Sequence, residues 1–114
     1  MKSRSAKNKG KRLQNKVAEI LIEEMGIHAD DIISTPAGWN GEDIILSSAA
    51  RKKFPFAIEC KNRETLNVWE ALKQAETNAK RAELNPLVVF GRNRTEPYAI
   101  ITFDLFIRLL KSIR

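Results

Sequence analysis

Apolar and polar residues follow two different periods along this chain, and together they predict a mixture of helices and strands. Over residues 10–25 apolar side chains recur every three or four positions, as on one face of a helix, and Gly26 is a natural stop. The same spacing predicts a helix over residues 68–84, with Asn67 as its N-cap, and a final helix that Asp104 caps and that runs through Leu110.

Short apolar runs bounded by turn residues predict five β-strands. They cover residues 32–35, 43–47, 56–61, 87–91 and 98–103. The intervening segments, including "SSAARKKFP" before the third strand, are predicted as turns or loops. The order α-β-β-β-α-β-β-α, with no repeat and no linker, predicts one compact α/β domain over residues 13–114, in which helices flank a mixed central sheet.

The segment "FAIECKNRE" (residues 56–64) places charged residues inside an otherwise apolar strand. A period of two puts Cys60 on the apolar face, and Glu59 and Lys61 together on the opposite face. If the turn between the second and third strands is centred near Lys52, Asp43 falls across from Lys61 and diagonal to Glu59. The three side chains would then converge at the open end of one hairpin. The competing interpretation is an exposed ion pair on a strand.

Two carboxylates at one point are the usual minimum for holding Mg²⁺, which keeps several waters and is completed by substrate phosphate. A lysine beside them can orient a water and offset charge on a phosphate. The chain has one histidine, His28, and one cysteine, so zinc fingers, His-Asn-His nucleases and zinc hydrolases are excluded.

The motifs "GED" (residues 41–43) and "ECK" (residues 59–61), on this order of elements, resemble the PD-(D/E)XK nuclease superfamily. The similarity covers about residues 9–103 and is closest to small phage and archaeal Holliday-junction resolvases and to virus-type replication-repair nucleases. It implies a restriction-endonuclease-like αβββαβ core. It also implies an endodeoxyribonuclease dependent on Mg²⁺ or Mn²⁺ that acts on branched or otherwise structured DNA in recombination and repair.

By that resemblance, Asp43 and Glu59 would bind the metal, with the backbone carbonyl of Cys60 as a further ligand. Lys61 would be the catalytic lysine. The sequence departs from many members at Glu42, where they have proline.

Two glutamines are further candidates for this site. Many relatives carry a glutamate on the first helix, and the resolvase pattern points to Gln14 at that position. Glu19, the nearest acid, lies five residues later and therefore about 140° around the helix, so only one of the two can reach the site. We favour Gln14. Gln74, on the helix after the third strand, is either a polar group near the metal or an ordinary exposed residue.

The net charge of +6 lies entirely in the arm formed by residues 1–12, which holds six basic and no acidic residues. Such an arm is either a contact for the phosphate backbone or a disordered solubilising tail. Trp39, in the glycine-containing loop before Asp43, could stack on a base. The proposed nucleic-acid contacts are Lys9, Lys11, Arg12, Trp39, Arg51, Lys52, Lys53 and Arg63, with Arg92 and Arg94 in a later turn.

Two other functions fit the composition: a non-catalytic nucleic-acid-binding protein that keeps the nuclease fold, and a basic structural protein. The resolvase interpretation implies a homodimer, for which the apolar segment 103–113 could supply the interface. The sequence shows no signal peptide and no membrane span. A single cysteine suits a reducing cytoplasm, which would be that of the host cell if the protein is phage-encoded.

Overall fold

The structure, a computed structural model, describes residues 3–36 and 41–113, with side chains described from residue 9 onward. It begins with helix α1 (Ser3–Met25), and Gly26, at φ 65°, ends that helix in a left-handed conformation. After a 3₁₀ turn at Ala29–Asp31, the elements in chain order are β1 (Ile32–Ser34), β2 (Ile44–Leu46), α2 (Ser48–Lys53), β3 (Phe56–Asn62), α3 (Val68–Ala82), β4 (Asn85–Gly91), β5 (Tyr98–Ile100) and α4 (Phe103–Ser112).

The five strands form one mixed sheet in the order β1-β2-β3-β4-β5. Strands β3 and β4 are parallel and are joined by α3, whereas the other neighbouring pairs are antiparallel. A parallel pair needs such a crossover, because its strands cannot be joined by a tight turn. The predicted α/β domain with helices around a mixed sheet is therefore confirmed, and it agrees with a restriction-endonuclease-like fold.

The sheet separates two apolar cores, because alternate residues of β4 enter different clusters. Leu87 and Val89 pack with α1, through residues such as Leu13 and Val17. Val88 packs on the other face, against alanines of α3. Asn67 caps α3 as predicted, since its side chain accepts a hydrogen bond from the backbone N–H of Glu70. Both faces of the central strands are thus covered by helices.

The structure corrects the predicted elements at four points. Helix α1 begins at Ser3, seven residues before the predicted start. The segment predicted as a turn before β3 contains α2, whose N-cap Ser47 accepts from the Ala50 N–H at 3.1 Å. Ala50 is buried, so tertiary packing stabilises a helix too short to persist alone. Strand β5 ends at Ile100, and Thr102 caps α4 in place of the predicted Asp104.

Candidate active site

Asp43 is fixed at the start of β2 by backbone contacts on both sides. Its N–H donates to the Ile58 carbonyl oxygen at 3.1 Å. Its own carbonyl oxygen accepts from the backbone N–H and the hydroxyl of Thr35, both at 2.9 Å. Gly41, two residues earlier, has φ 140°, a conformation that favours glycine. The chain therefore turns into β2 through a glycine and then holds Asp43 between β1 and β3.

The predicted register of the β2–β3 pair is wrong by two residues. Ile44 pairs with Ile58, so the adjoining position places Asp43 beside Glu59 instead of across from Lys61. The connection was assumed to be a symmetric turn, but it contains helix α2, which changes where the two strands meet. The correction brings the two carboxylates closer in register than the sequence alone implied.

Glu59 and Lys61 share one face of β3, as the period of two predicted. Glu59 is only 7% exposed, and the Lys61 Nζ lies 3.3 Å from its Oε2. Burial, with a smaller contribution from the negative charge of Asp43, raises the pKa of Glu59 to about 7. Lys61 and Arg63 oppose this shift. The ionised form of Glu59 is therefore destabilised, because one ammonium does not offset both its burial and the neighbouring acid.

The Asp43 carboxylate accepts two hydrogen bonds that fix its orientation. The Cys60 backbone N–H donates to its Oδ2 at 2.6 Å, and the Gln14 amide donates to the same carboxylate. Burial nevertheless raises the pKa of Asp43, and these two donors together with Lys61 only offset it. The Cys60 thiol lies in the apolar core between the sheet and α1. Burial there raises its pKa, so it is not a nucleophile.

Gln14 is buried and forms part of a hydrogen-bond chain from α1 to the site. Its Oε1 accepts from the Ser34 hydroxyl at 3.2 Å, which leaves the amide nitrogen to face Asp43. Lys11, one turn earlier, donates to the carbonyl oxygens of Ser34 and Thr35 and to the Ser34 hydroxyl. The structure thus places Gln14 at Asp43. It leaves Glu19 exposed on another face of α1.

A cavity of about 330 Å³ opens between this carboxylate pair and α3. Gln74 lies in its wall, together with Lys73 and Arg81, which the sequence reasoning missed. The sequence does contain a pattern that could have identified them, because polar residues of α3 repeat at helical spacing on one face. They are Glu70, Lys73, Gln74, Thr77, Asn78 and Arg81. The two basic side chains make this wall suited to an anionic ligand.

The residues present fit a hard divalent cation. Within the described ranges, no group of three or more His, Cys, Asp or Glu side chains gathers, and Asp43 and Glu59 are the pair of acids that could donate carboxylate oxygens at this cavity. The Cys60 N–H points towards Asp43, and a strand residue sends its N–H and C=O to the same side. The Cys60 carbonyl oxygen therefore also lies on the β2 side of β3, as a third hard oxygen.

The predicted nucleic-acid contacts fall into separate groups. Lys11 is engaged with β1, and the Lys53 Nζ donates to the Gly26 carbonyl oxygen at 2.9 Å. Arg51 lies 3.5 Å from Glu42, while Lys52 and Arg63 are exposed. Lys9 and Arg12 lie on α1 beside a second cavity. Trp39 lies outside the described residues, and the role of the remaining side chains stays a prediction.

A protein-family model described as "Phage putative PDDEXK endonuclease" matches residues 5–113. The chain belongs to this family. The match confirms the PD-(D/E)XK resemblance and extends it over nearly the whole chain, including α4. No curated protein and no solved structure matches the chain. Among the helices described, none is long and apolar enough to cross a membrane.

Proposed function

We propose that this family member is a metal-dependent endonuclease that hydrolyses phosphodiester bonds in DNA. The observation that supports this most is the placement of Asp43 and Glu59 at one cavity, with Glu59 buried, Asp43 half-buried and the Lys61 ammonium 3.3 Å from the Glu59 carboxylate. Family membership supports the nuclease activity itself, whereas DNA as substrate and Mg²⁺ or Mn²⁺ as cofactor belong to the proposal.

Asp43, Glu59 and the Cys60 carbonyl oxygen would hold the cation, which supplies Lewis-acid chemistry and lowers the pKa of a bound water. The side chains have separate tasks. The Lys61 ammonium donates to Glu59 and presents further protons to the attacking water or a phosphate oxygen. Gln14 and the Cys60 N–H keep the Asp43 carboxylate in one orientation. Lys73 and Arg81, in the cavity wall, attract the phosphate backbone.

We further propose branched or otherwise structured DNA as the preferred substrate. The basic groups in the cavity wall, Lys73 and Arg81, suit phosphate contact, and no segment of the sequence resembles a base-reading helix motif. Recognition by backbone and shape favours substrates that differ from linear duplex in geometry. Such an activity would serve recombination or repair, in the cytoplasm of the host cell, where the single buried Cys60 meets reducing conditions.

A homodimer would allow two coordinated cuts, and α4 supports one. Phe103 and Ile113 are 75% and 70% exposed. With Phe106, Leu109 and Leu110 they form an apolar stripe along one side of the helix. Apolar patches of more than a few hundred Å² mark interaction sites, and a two-fold axis would place this uncharged stripe against itself. In light scattering, Leu110→Glu should halve the mass, whereas Lys111→Glu, on the polar side of α4, should not.

The activity is tested by incubating linear, flapped and four-way DNA with Mg²⁺ or Mn²⁺. We expect cleavage, fastest on the branched substrates. Asp43→Asn and Glu59→Gln should lose it, and Glu19→Gln is the matched control because Glu19 is exposed and remote from the cavity. If the wild type binds these substrates but cuts none of them, the protein is instead a nucleic-acid-binding relative of the nucleases.

A further inference from the structure

A second cavity, of about 270 Å³, lies between α1 and the turn that joins β4 to β5. Five basic residues line it, and the described residues in its wall include no acid. The basic residues are Lys9, Arg12, Lys16, Arg92 and Arg94. Asn62, Asn93 and Thr95 add polar groups. We call this the basic pocket. Its positive charge is opposite in sign to the charge of the Asp43 and Glu59 carboxylates.

Helix α1 supplies the first wall of the basic pocket by its periodicity. Lys9, Arg12 and Lys16 are spaced by three and four residues and therefore share one side of the helix. Lys11 lies outside this set and is engaged with β1. The Asn62 side chain donates to the Lys9 carbonyl oxygen at 3.2 Å, which ties this part of α1 to the end of β3.

The β4–β5 turn supplies the second wall and is held in one conformation. The Thr95 hydroxyl accepts from the Arg92 N–H at 2.9 Å and donates to the Arg92 carbonyl oxygen at 3.1 Å. Arg94 has φ 65°, a left-handed conformation that glycine or asparagine would adopt at lower cost. The turn therefore carries an arginine at a position where the backbone alone would favour a smaller residue.

The basic pocket and the catalytic cavity lie on opposite faces of the sheet near the end of β3. Glu59 lines the catalytic cavity with α3, whereas Asn62, three residues later, lines the basic pocket with α1. Along β3 these two residues are about 10 Å apart, and the thickness of the sheet adds to the separation because the two cavities lie on opposite faces. A DNA strand that passes over the end of β3 advances about 3.4 Å per nucleotide and can therefore reach both within several nucleotides.

We propose that the basic pocket binds a backbone phosphate of the DNA strand within a few nucleotides of the bond that is cut. This rests on the proposed function, since the strand is the one that enters the catalytic cavity. The chemistry recognised is a phosphodiester: several guanidinium and ammonium groups converge on a small concave site with amide and hydroxyl donors. Arg92 also contacts the exposed Glu64 at 3.5 Å, so Lys16 and Arg94 are the better probes.

The test is the Arg94→Gly/Lys16→Ala double variant, with Lys111→Ala as control. Glycine suits the left-handed backbone at position 94, so the fold should be retained, which circular dichroism checks. Binding of labelled duplex DNA is followed by fluorescence anisotropy in Ca²⁺ over a salt series. The double variant should bind about tenfold more weakly, and its log–log salt slope should shrink by about one.

The outcomes separate this inference from the proposed function. If the double variant loses affinity while even the wild type cuts no DNA, the basic pocket binds nucleic acid and the nuclease proposal fails. If the wild type cuts and the double variant binds like Lys111→Ala with the same slope, the inference is overturned. Inorganic phosphate that binds the wild type as tightly as a short oligonucleotide would also overturn it, since the pocket would then be a small-anion site.

Discussion

The catalytic cavity and the basic pocket, both near the end of β3, differ in the sign of their charge, in burial and in the contacts that hold their side chains. At the catalytic cavity, backbone and amide hydrogen bonds hold Asp43, an ion pair joins Glu59 to Lys61, and burial raises the pKa of both acids. In the basic pocket, basic side chains of α1 and of the β4–β5 turn converge at an exposed site. Burial of like charges stores electrostatic strain that a bound cation relieves, whereas exposed cations supply attraction that salt screens. The first arrangement suits chemistry and the second suits affinity.

Replacing Lys61 should have a large effect, and that effect should fall on chemistry alone. Lys61→Ala removes the ammonium beside Glu59 without touching either carboxylate. Cleavage should drop by about 10²- to 10³-fold, because the attacking water and the phosphate lose a donor. Affinity for DNA, measured in Ca²⁺, should change little. A loss of affinity without a loss of single-turnover rate would assign Lys61 to binding, like the basic pocket.

Protonation of Glu59 should make stability depend on pH in metal-free protein. The pKa of Glu59 is raised from 4.5 to about 7, so between these values the folded protein holds a proton that the unfolded chain has lost. Stability therefore falls as the pH rises through this window, by at most about 3 kcal/mol. Urea unfolding near either end of the window measures it. Glu59→Gln should flatten the dependence and Glu19→Gln should not; equal slopes in both variants would assign the effect to other groups.

Replacing Gln14 and Glu19 separately tests which face of α1 contributes to cleavage. Gln14→Ala removes an amide that contacts Asp43, so cleavage should fall by about tenfold as the carboxylate loses one donor. Glu19→Ala should leave cleavage unchanged, since that side chain is exposed. Both variants are assayed on the same branched substrate. The reverse result would show that another face of α1 meets the substrate.

The N-terminal arm should give the smallest effect. Deleting residues 1–12, the obvious test from the sequence, would remove the Lys11 contacts with β1 and so confuse stability with binding. Deleting residues 1–8 removes three basic residues and spares Lys11. The salt slope of duplex binding should shrink by at most about three, with the single-turnover rate unchanged. An unchanged slope would mean that the arm makes no phosphate contact.

The faces of β3 and α1 on which the candidate site residues lie could be predicted from the sequence, because they depend only on the spacing of neighbouring residues. A period of two placed Glu59 and Lys61 on one face of β3, and the helical period separated Gln14 from Glu19 on α1. Both patterns depend on a few neighbouring residues. The structure then placed these residues as predicted, apart from the two-residue shift of Asp43.

The remaining features depend on contacts between distant segments. Helix α2 is stabilised by burying Ala50, and the β2–β3 register follows from that helix. From the sequence alone, Lys11 is one of several basic residues of the N-terminal arm, and its contact with β1 is seen only in the structure. The basic pocket joins residues of α1 to Arg92 and Arg94, far along the chain. Neither period nor composition carries that information.

The central claim is that Asp43 and Glu59 together hold one divalent cation, and calorimetric titration of Mn²⁺ tests it most directly. The wild type, Lys61→Ala and the control Glu19→Gln should bind the ion with similar affinity. Asp43→Asn and Glu59→Gln are nearly isosteric changes that should remain folded but lose the binding heat, because each removes one of the two side-chain donors. Binding by both carboxylate variants at wild-type affinity would contradict the claim, and Glu59 would then be only the partner of a buried ion pair.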